Sequence, residues 1–525
     1  MEPISSDLLR YRFVILSLLL FVVGVFHTIN GQWIGDFWEH SAVVRELATH
    51  PFSPKHPQLS LDTPHAFFSP YTLTVGCLSR ILAVSPVAAL GILSIVNLLL
   101  FLFALRLFVL LLFDSEATAF YTLLFTLLLW GAAAWGYSDL FHLKLFAYIR
   151  PYPSRFAISL SLIGLSMYIL HLRSGNRWWL IPICATNVVV MLTHPLTFNL
   201  MAVGLVSLSV GLRRLPLVDY ARLAGVFILS LLVAAAWPHF PFMKLVLHES
   251  AVYHASNRGI YSHPIESVSL ALIGIPLLLL RFRSGWRNPL MFMFLGLCLI
   301  YTYGAVFEKW SYGRVTTHIV LVLHMTIADA VSRIESKLEV RRMPASVGRF
   351  AYSCLIIIIT LTVSFKPVIQ PAILKPELRS ELRPAVTFSL LGRPNTYDQY
   401  QFLSQYTGQY DVVLADIRTS WVVPSFGGKV VAAAHPLAFV PDHDARTKDL
   451  GDFFHDGTSH RSRLEIARKY RANFLLLNKA LVPKWETMMR SFQPLGRVVF
   501  HNDQFALISL EALNEAEEVR DMPDR

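Results

Sequence analysis

Eleven apolar runs, most of them close to the length that crosses a bilayer, leave this chain few folds to choose from. A helix spanning hydrocarbon needs about 20 predominantly apolar residues. The 525-residue sequence offers such runs at approximately 13–31, 87–112, 117–137, 155–172, 178–193, 196–212, 222–238, 266–281, 289–306, 315–333 and 349–366. Lipid cannot satisfy backbone N–H and C=O groups, so runs of this length must be helices. The runs at 178–193 and 196–212 are short and separated only by His194-Pro195, which predicts a tight hairpin. Only 15% of the residues are charged, where a soluble protein carries about a quarter.

The net charge of +11 would suit a nucleic-acid partner if it formed one patch. It does not. Arginine and lysine gather in alternate loops: Arg10 and Arg12; Arg173 and Arg177; Arg213, Arg214 and Arg222; Arg281, Arg283 and Arg287; Arg333, Lys337, Arg341, Arg342 and Arg349. This alternation is the positive-inside pattern, which sets topology and speaks against nucleic acid. It predicts a cytoplasmic N-terminus and, with an odd number of spans, an extracytoplasmic C-terminus. No small-x-small cleavage site precedes Asn30-Gly31-Gln32, so the first run reads as an anchor and not a cleaved signal. Cys77, Cys184, Cys298 and Cys354 all fall in apolar segments, implying neither a disulfide framework nor a zinc site.

Between the spans, the outward loop at about 32–86 is the longest. Its pattern predicts a helix from Phe37 to Thr49, with Phe37, Val44, Leu47 and Ala48 on one face. Pro51, Pro54, Pro57 and Pro64 then forbid a continuous helix. A second amphipathic segment, Tyr71 to Val84, is read as lying along the membrane surface, because a crossing there would invert every later arginine-rich loop. Further outward loops run at about 138–154, 239–265 and 307–314. After Phe365 the character changes: Pro367, Pro371 and Pro376 mark a linker. The expected organisation is a membrane domain at 1–368, a linker at 369–379 and an extracytoplasmic domain at 380–525. In that last segment Val412–Ala415, Lys429–Ala433, Phe474–Leu477 and Phe505–Leu510 are strand candidates and Leu464–Tyr470 reads as helical. The acidic tail after Leu513 is expected to fray.

Ionisable residues at a membrane boundary mark candidate function, and the first cluster here, Gly35-Asp36-Phe37-Trp38-Glu39-His40, stands directly behind the first span. Asp36 has two readings. It occupies an expected helix N-cap with Glu39 three residues on, close to a capping box. It could equally be a carboxylate held at the interface for chemistry.

The first loop resembles that of the GT-C superfamily of membrane glycosyltransferases. Gly35-Asp36, the helix through Glu46, Pro51 to Pro57, and Phe68-Ser69-Pro70-Tyr71 leading into a surface helix match its layout. The resemblance covers the membrane part in architecture and the first loop in motif. It implies a polytopic α-helical membrane protein of about eleven transmembrane helices, followed by a C-terminal soluble α/β domain. It also implies a polyprenyl-phosphate-linked sugar donor, a glycan, lipid or protein acceptor, and a catalytic aspartate at Asp36. The stretch from Asp411 to Asp416, with Trp421 to Pro424 and Phe426 to Lys429, is similar to the extracytoplasmic appendage of some of these transferases.

Such a reaction needs a base for the acceptor hydroxyl and positive charge for the departing lipid phosphate. Arg314, in Trp310-Ser311-Tyr312-Gly313-Arg314, is the first candidate for the cation, set against a plain snorkelling arginine at a helix end. Arg150, in Ile149-Arg150-Pro151-Tyr152, and Arg258 are similar cases. Glu39 could orient the acceptor or help hold a divalent metal, but no DxD triplet accompanies it, so neither metal nor cofactor is expected. His40 lies one helical turn from Asp36. His194 stands before Pro195 at the end of a span, where it could line a cavity or simply pack. His248, His254 and His263 have spacings that do not make a ligand set.

The expected function is therefore an integral-membrane glycosyltransferase, inverting and acting at the extracytoplasmic face, which is that of the plasma membrane in a prokaryote. Its main competitor is a transporter or flippase of a lipid-linked or amphipathic substrate, for which the sequence shows no convincing internal repeat. A non-catalytic assembly factor, with Asp36 only a cap, is the third reading.

Overall fold

The computed structural model describes residues 4–31, 33–130, 142–285, 287–338, 345–374, 396–435, 437–481 and 485–510. The end of the run read at 117–137, the start of the loop read at 138–154, Pro376 with the rest of the linker, and the tail after Leu513 lie outside the described residues. Among the described residues the chain is mostly helical and carries one small sheet. It divides into two compact units that do not follow chain order. One comprises Met1–Gln32, Gly91–Trp237 and Tyr253–Arg393; the other comprises Trp33–Leu90, Pro238–Val252 and Pro394–Arg525.

In the first unit a helix stands wherever an apolar run predicts one. Among the described residues seven are long and apolar enough to cross a membrane: Tyr11–Ile29 within helix α1 (Ile4–Ile29), Pro86–Phe113, Pro153–Ser174, Leu217–Ala235, Pro264–Arg283, Pro289–Val306 and Trp310–Lys337. Four shorter apolar helices, Glu116–Leu128, Arg177–Thr193, Pro195–Gly211 and Val347–Val363, occupy the remaining runs. The helix Trp310–Lys337 has 83% of its apolar window buried, whereas Tyr11–Ile29 and Leu217–Ala235 have 22%. The last two leave Leu18, Leu19, Val22, Ile228 and Leu232 exposed, as lipid-facing helices do and water-facing ones rarely do. The helix Ala345–Leu374 continues through Pro367 and Pro371. A proline removes one i→i−4 bond, which an otherwise apolar helix can survive where neighbouring groups take up the freed carbonyl.

The second unit holds helix α2 (Phe37–Thr49) and helix α3 (Pro70–Ile81) together with the sheet. Helix α2 begins and ends where its sequence pattern predicts, yet it is buried on nearly every side, from Phe37 to Leu47 with Arg45 the exception. Helix α3 starts with a complete capping box: Ser69 Oγ accepts the Thr72 N–H at 3.3 Å and Thr72 Oγ1 accepts the Ser69 N–H at 3.0 Å. Ser69→Ala should therefore cost about 1 kcal/mol, measurable as a lowered unfolding midpoint of the full chain in detergent.

Among the described residues five strands form the sheet: β1 (Val412–Ala415), β2 (Lys429–Val430), β3 (Phe474–Asn478), β4 (Arg497–His501) and β5 (Phe505–Ser509). Their order is β2-β1-β3-β5-β4, parallel across β2, β1 and β3, and antiparallel from β3 through β5 to β4. Leu414, Leu475, Leu477 and Ile508 face Phe453 and Phe492 in its core. The strand read at Lys429–Ala433 is shorter than expected, and β4 is not anticipated at all. β4 is an edge strand in which no residue is fully buried, so it lacks the continuous apolar run that marks its neighbours. Beyond β2 the first loop adds a further rung: Leu59 bridges Val430, and the Val430 N–H donates to Gln58 O at 2.7 Å. The loop thereby covers an edge that would otherwise be open to pairing with another chain.

Candidate active site

The first turn of α2 and the segment after β2 meet in the second unit. Gly35, at φ +63°, turns the chain into the helix in a conformation that favours glycine. Asp36 follows with helical dihedrals, φ −57° and ψ −11°, and its side chain makes no capping bond. A capping aspartate needs an extended backbone to aim its carboxylate back at the N2 and N3 amides. The capping-box expectation for Asp36 and Glu39 is thus not met; both carboxylates turn elsewhere.

They turn to His435. Its Nδ1 lies 3.0 Å from Glu39 Oε2 and its Nε2 lies 3.5 Å from Asp36 Oδ1, so one imidazole bridges two carboxylates. Asp36 and His435 each keep 36% of their side-chain surface open, while Glu39 keeps 2%. The edge of His435 meets Trp421, ring centroids 4.7 Å apart. Burial pushes the Glu39 carboxyl above its ordinary range; the hydrogen bond of His435, and its charge when the ring is protonated, pull it back, and the Asp36 charge adds to the rise.

Behind Glu39 stand two enclosed histidines. His65 Nε2 lies 3.6 Å from Glu39 Oε1, and its Nδ1 accepts the Phe67 N–H at 3.2 Å. His56 Nδ1 accepts the N–H groups of Gln58 and Leu59 at 3.2 and 2.9 Å. Burial, with Lys429 adding to it, pushes His65 down to about 3. Burial first, and then the charges of His65, Lys429 and Arg446, also puts His56 well below its ordinary value. Both are therefore neutral at physiological pH.

A buried ion pair locks this region about two turns further along α2. Lys429 Nζ donates to Glu46 Oε2 at 2.9 Å, to His56 O at 2.9 Å and to Pro57 O at 3.2 Å, which satisfies all three ammonium protons. Glu46 also accepts from the Lys55 N–H and from Gln409 Nε2. Burial alone would raise the Glu46 carboxyl, but these bonds and the Lys429 charge hold it below the usual range. Ser425 Oγ adds a bond to Trp38 O at 2.9 Å.

Of the residues singled out in sequence, the structure brings Asp36 and Glu39 together, and it buries His40 against Phe67, ring centroids 4.9 Å apart. Arg150, His194, Arg258 and Arg314 belong to the first unit. Arg314 Nε donates to Asn257 Oδ1 at 2.8 Å, and the Arg258 guanidinium lies over the Trp310 ring at 5.8 Å, so these two arginines share one pair of adjoining turns. Arg150 is 1% exposed; its Nη2 sits 3.3 Å from His27 Nδ1 and from Thr28 Oγ1 of α1. Gly24 makes room for it, since a Cβ there would come within 2.7 Å of Nη1. His194 caps the helix Pro195–Gly211, its Nδ1 accepting the Thr197 N–H at 3.2 Å. Among the described residues no group of three or more His, Cys, Asp or Glu is placed to hold a metal ion.

His435, His65, His56 and the Glu46–Lys429 pair escape the sequence reading. The one signal for His435 is its setting, a lone histidine between the apolar Val431-Ala432-Ala433-Ala434 and Pro436, much like the His194-Pro195 step that does attract notice.

No family model and no curated protein matches the chain. Solved structures do. ArnT from Cupriavidus metallidurans, bound to undecaprenyl phosphate, aligns with 95% of this chain and 98% of its own at 14% identity and a TM-score of 0.56. The apo oligosaccharyltransferase of Archaeoglobus fulgidus aligns with 89% of this chain and 70% of its own at 13% identity and a TM-score of 0.50. The arabinofuranosyltransferase AftD from Mycobacteria aligns with 91% of this chain and 40% of its own, at 14% identity and a TM-score of 0.50. This chain has the fold of the GT-C superfamily of membrane glycosyltransferases.

Proposed function

We propose that the protein is an integral-membrane glycosyltransferase that moves a sugar from a polyprenyl-phosphate carrier to an acceptor hydroxyl, with Asp36 as the general base. The observation that carries this reading is the state of Asp36: a half-open carboxylate just past the first apolar helix, engaged in no cap and backed by His435 and the buried Glu39. The chain is similar over most of its length to a transferase whose structure holds undecaprenyl phosphate, which makes a lipid-phosphate donor the natural choice.

On this reading the acceptor O–H gives its proton to Asp36 as its oxygen attacks the anomeric carbon, and the C–O bond to the phosphate breaks with the electron pair leaving on the lipid. One base and a direct displacement give inversion. The arginine pattern supports an extracytoplasmic site, where nucleotide sugars are absent and lipid-linked ones are available. Arg314, at the start of a long apolar helix, is assigned to the departing phosphate. Arg314→Ala should weaken undecaprenyl-phosphate binding about tenfold or more, read by direct titration.

The test is to offer the purified protein a panel of undecaprenyl-phosphate monosaccharides with hydroxyl acceptors and to follow the released lipid phosphate. Release in wild type and its loss in Asp36→Asn is the expected result. Release from none of the donors, with flux of a lipid-linked substrate across vesicles, would replace this reading by a transporter.

A further inference from the structure

We infer that His435 is a positioning residue of the transfer reaction, one that takes from Asp36 the proton Asp36 has removed from the acceptor. This rests on the reading of Asp36 as the base. The chain supplies an internal control for what a histidine does here when it serves structure alone. His56 and His65 are enclosed and neutral, and their Nδ1 atoms are taken up by backbone amides. His435 differs in exposure and in partners: it is 36% open, with both ring nitrogens aimed at carboxylates.

The two carboxylates are not equivalent, and the difference sets a direction. Glu39 is shut away at 2% exposure and lies 3.0 Å from Nδ1, so it holds the Nδ1–H and fixes the ring. In its neutral form a ring so held presents its lone pair at Nε2, which faces Asp36 at 3.5 Å. Catalytic contacts of this kind are commonly long in the absence of substrate and tighten when it binds. This is the logic of a buried acid orienting a histidine by one nitrogen so that the other can accept a proton, with Asp36 interposed between the ring and the substrate.

The step balances without any co-reactant. The acceptor O–H breaks toward Asp36 during attack. The Asp36 O–H then breaks as Nε2–H forms, which returns Asp36 to a carboxylate and leaves an imidazolium. Glu39 stabilises that cation by a charge-assisted hydrogen bond. The imidazolium releases its proton to water on its open side. Among the groups facing this ring are Asp36 and Glu39 of α2 and the indole of Trp421; His65, on the far oxygen of Glu39, is neutral and does not compete. The consequence is that the C-terminal segment is part of the catalytic machinery and not an accessory cover.

His435→Ala, in the full-length protein with the undecaprenyl-phosphate monosaccharide panel, should lower release of lipid phosphate by about 10²-fold. Undecaprenyl-phosphate affinity and the unfolding midpoint should stay at wild-type values. Added imidazole should restore about tenfold of the lost rate, because the cavity left by the ring can accept it. His435→Gln keeps a polar side chain of similar reach, so it should fold as wild type, stay slow and show no rescue. A wild-type rate in either variant overturns the proposal, as does a slow His435→Ala that imidazole does not revive. If wild type and Asp36→Asn are equally active, or neither is active on any donor, the reading of Asp36 itself has failed. If Asp36→Asn is inactive while His435→Ala is unimpaired, only the role of His435 has.

Discussion

Asp36→Asn is expected to lower sugar transfer by about 10³-fold while leaving the protein folded. The size follows from the proton chemistry, because an amide cannot take the acceptor proton and the neighbouring carboxylate is not open to replace Asp36. Glu39 is 2% exposed and committed to His435. The preserved fold follows from the geometry of the first turn of α2. Asp36 contributes no side-chain hydrogen bond to the helix, so nothing there is lost with its charge. Asparagine is also among the preferred residues at a helix start. The measurement pairs the rate of undecaprenyl-phosphate release with an unfolding curve for the same preparation. A variant that unfolds earlier as well as acting slowly would return Asp36 to a structural role.

The second large effect is on stability. Lys429→Met should destabilise the second unit by about 3–5 kcal/mol, because it strands Glu46 as a buried charge without its partner and leaves the His56 and Pro57 carbonyls without a donor. Replacing both partners, as Glu46→Gln with Lys429→Met, should recover much of that loss, since the stranded charge is then gone. Chemical denaturation of the single and double variants checks this. The pair also fixes an acid limit. The folded-state pKa of Glu46 lies below its ordinary 4.5, so its contribution is present above pH 4.5 and is lost as pH falls through the depressed value. Glu46→Gln should remove that part of the acid sensitivity, seen as a flatter stability profile below about pH 4.5.

How far the fold is legible in the sequence depends on the kind of signal each element carries. The apolar helices announce themselves, because about twenty residues without charge admit no other structure in lipid. Helix α2 is equally plain, bounded by Gly35 and Pro51. Strands β1, β3 and β5 are buried on both faces and read as unbroken apolar runs. Strand β4 mixes Arg497 and His501 with Val498 and Phe500, and nothing local separates it from a loop. The first loop's rung against Val430 is invisible for another reason: Gln58 and Leu59 pair with a strand far along the chain.

The site divides along the same line. From the sequence alone come the membrane class, the positions of the apolar helices, and the presence of Asp36 and Glu39 just beyond the first of them, since all of these rest on composition and local spacing. Only the tertiary structure decided what the two carboxylates do. It withheld the cap from Asp36, buried Glu39, and brought to both a histidine 396 residues from Glu39 along the chain. Local spacing sets which residues share a helix face. Which distant side chain meets that face is set by chain closure through the β2 edge and the buried Lys429–Glu46 pair, and no local pattern encodes it.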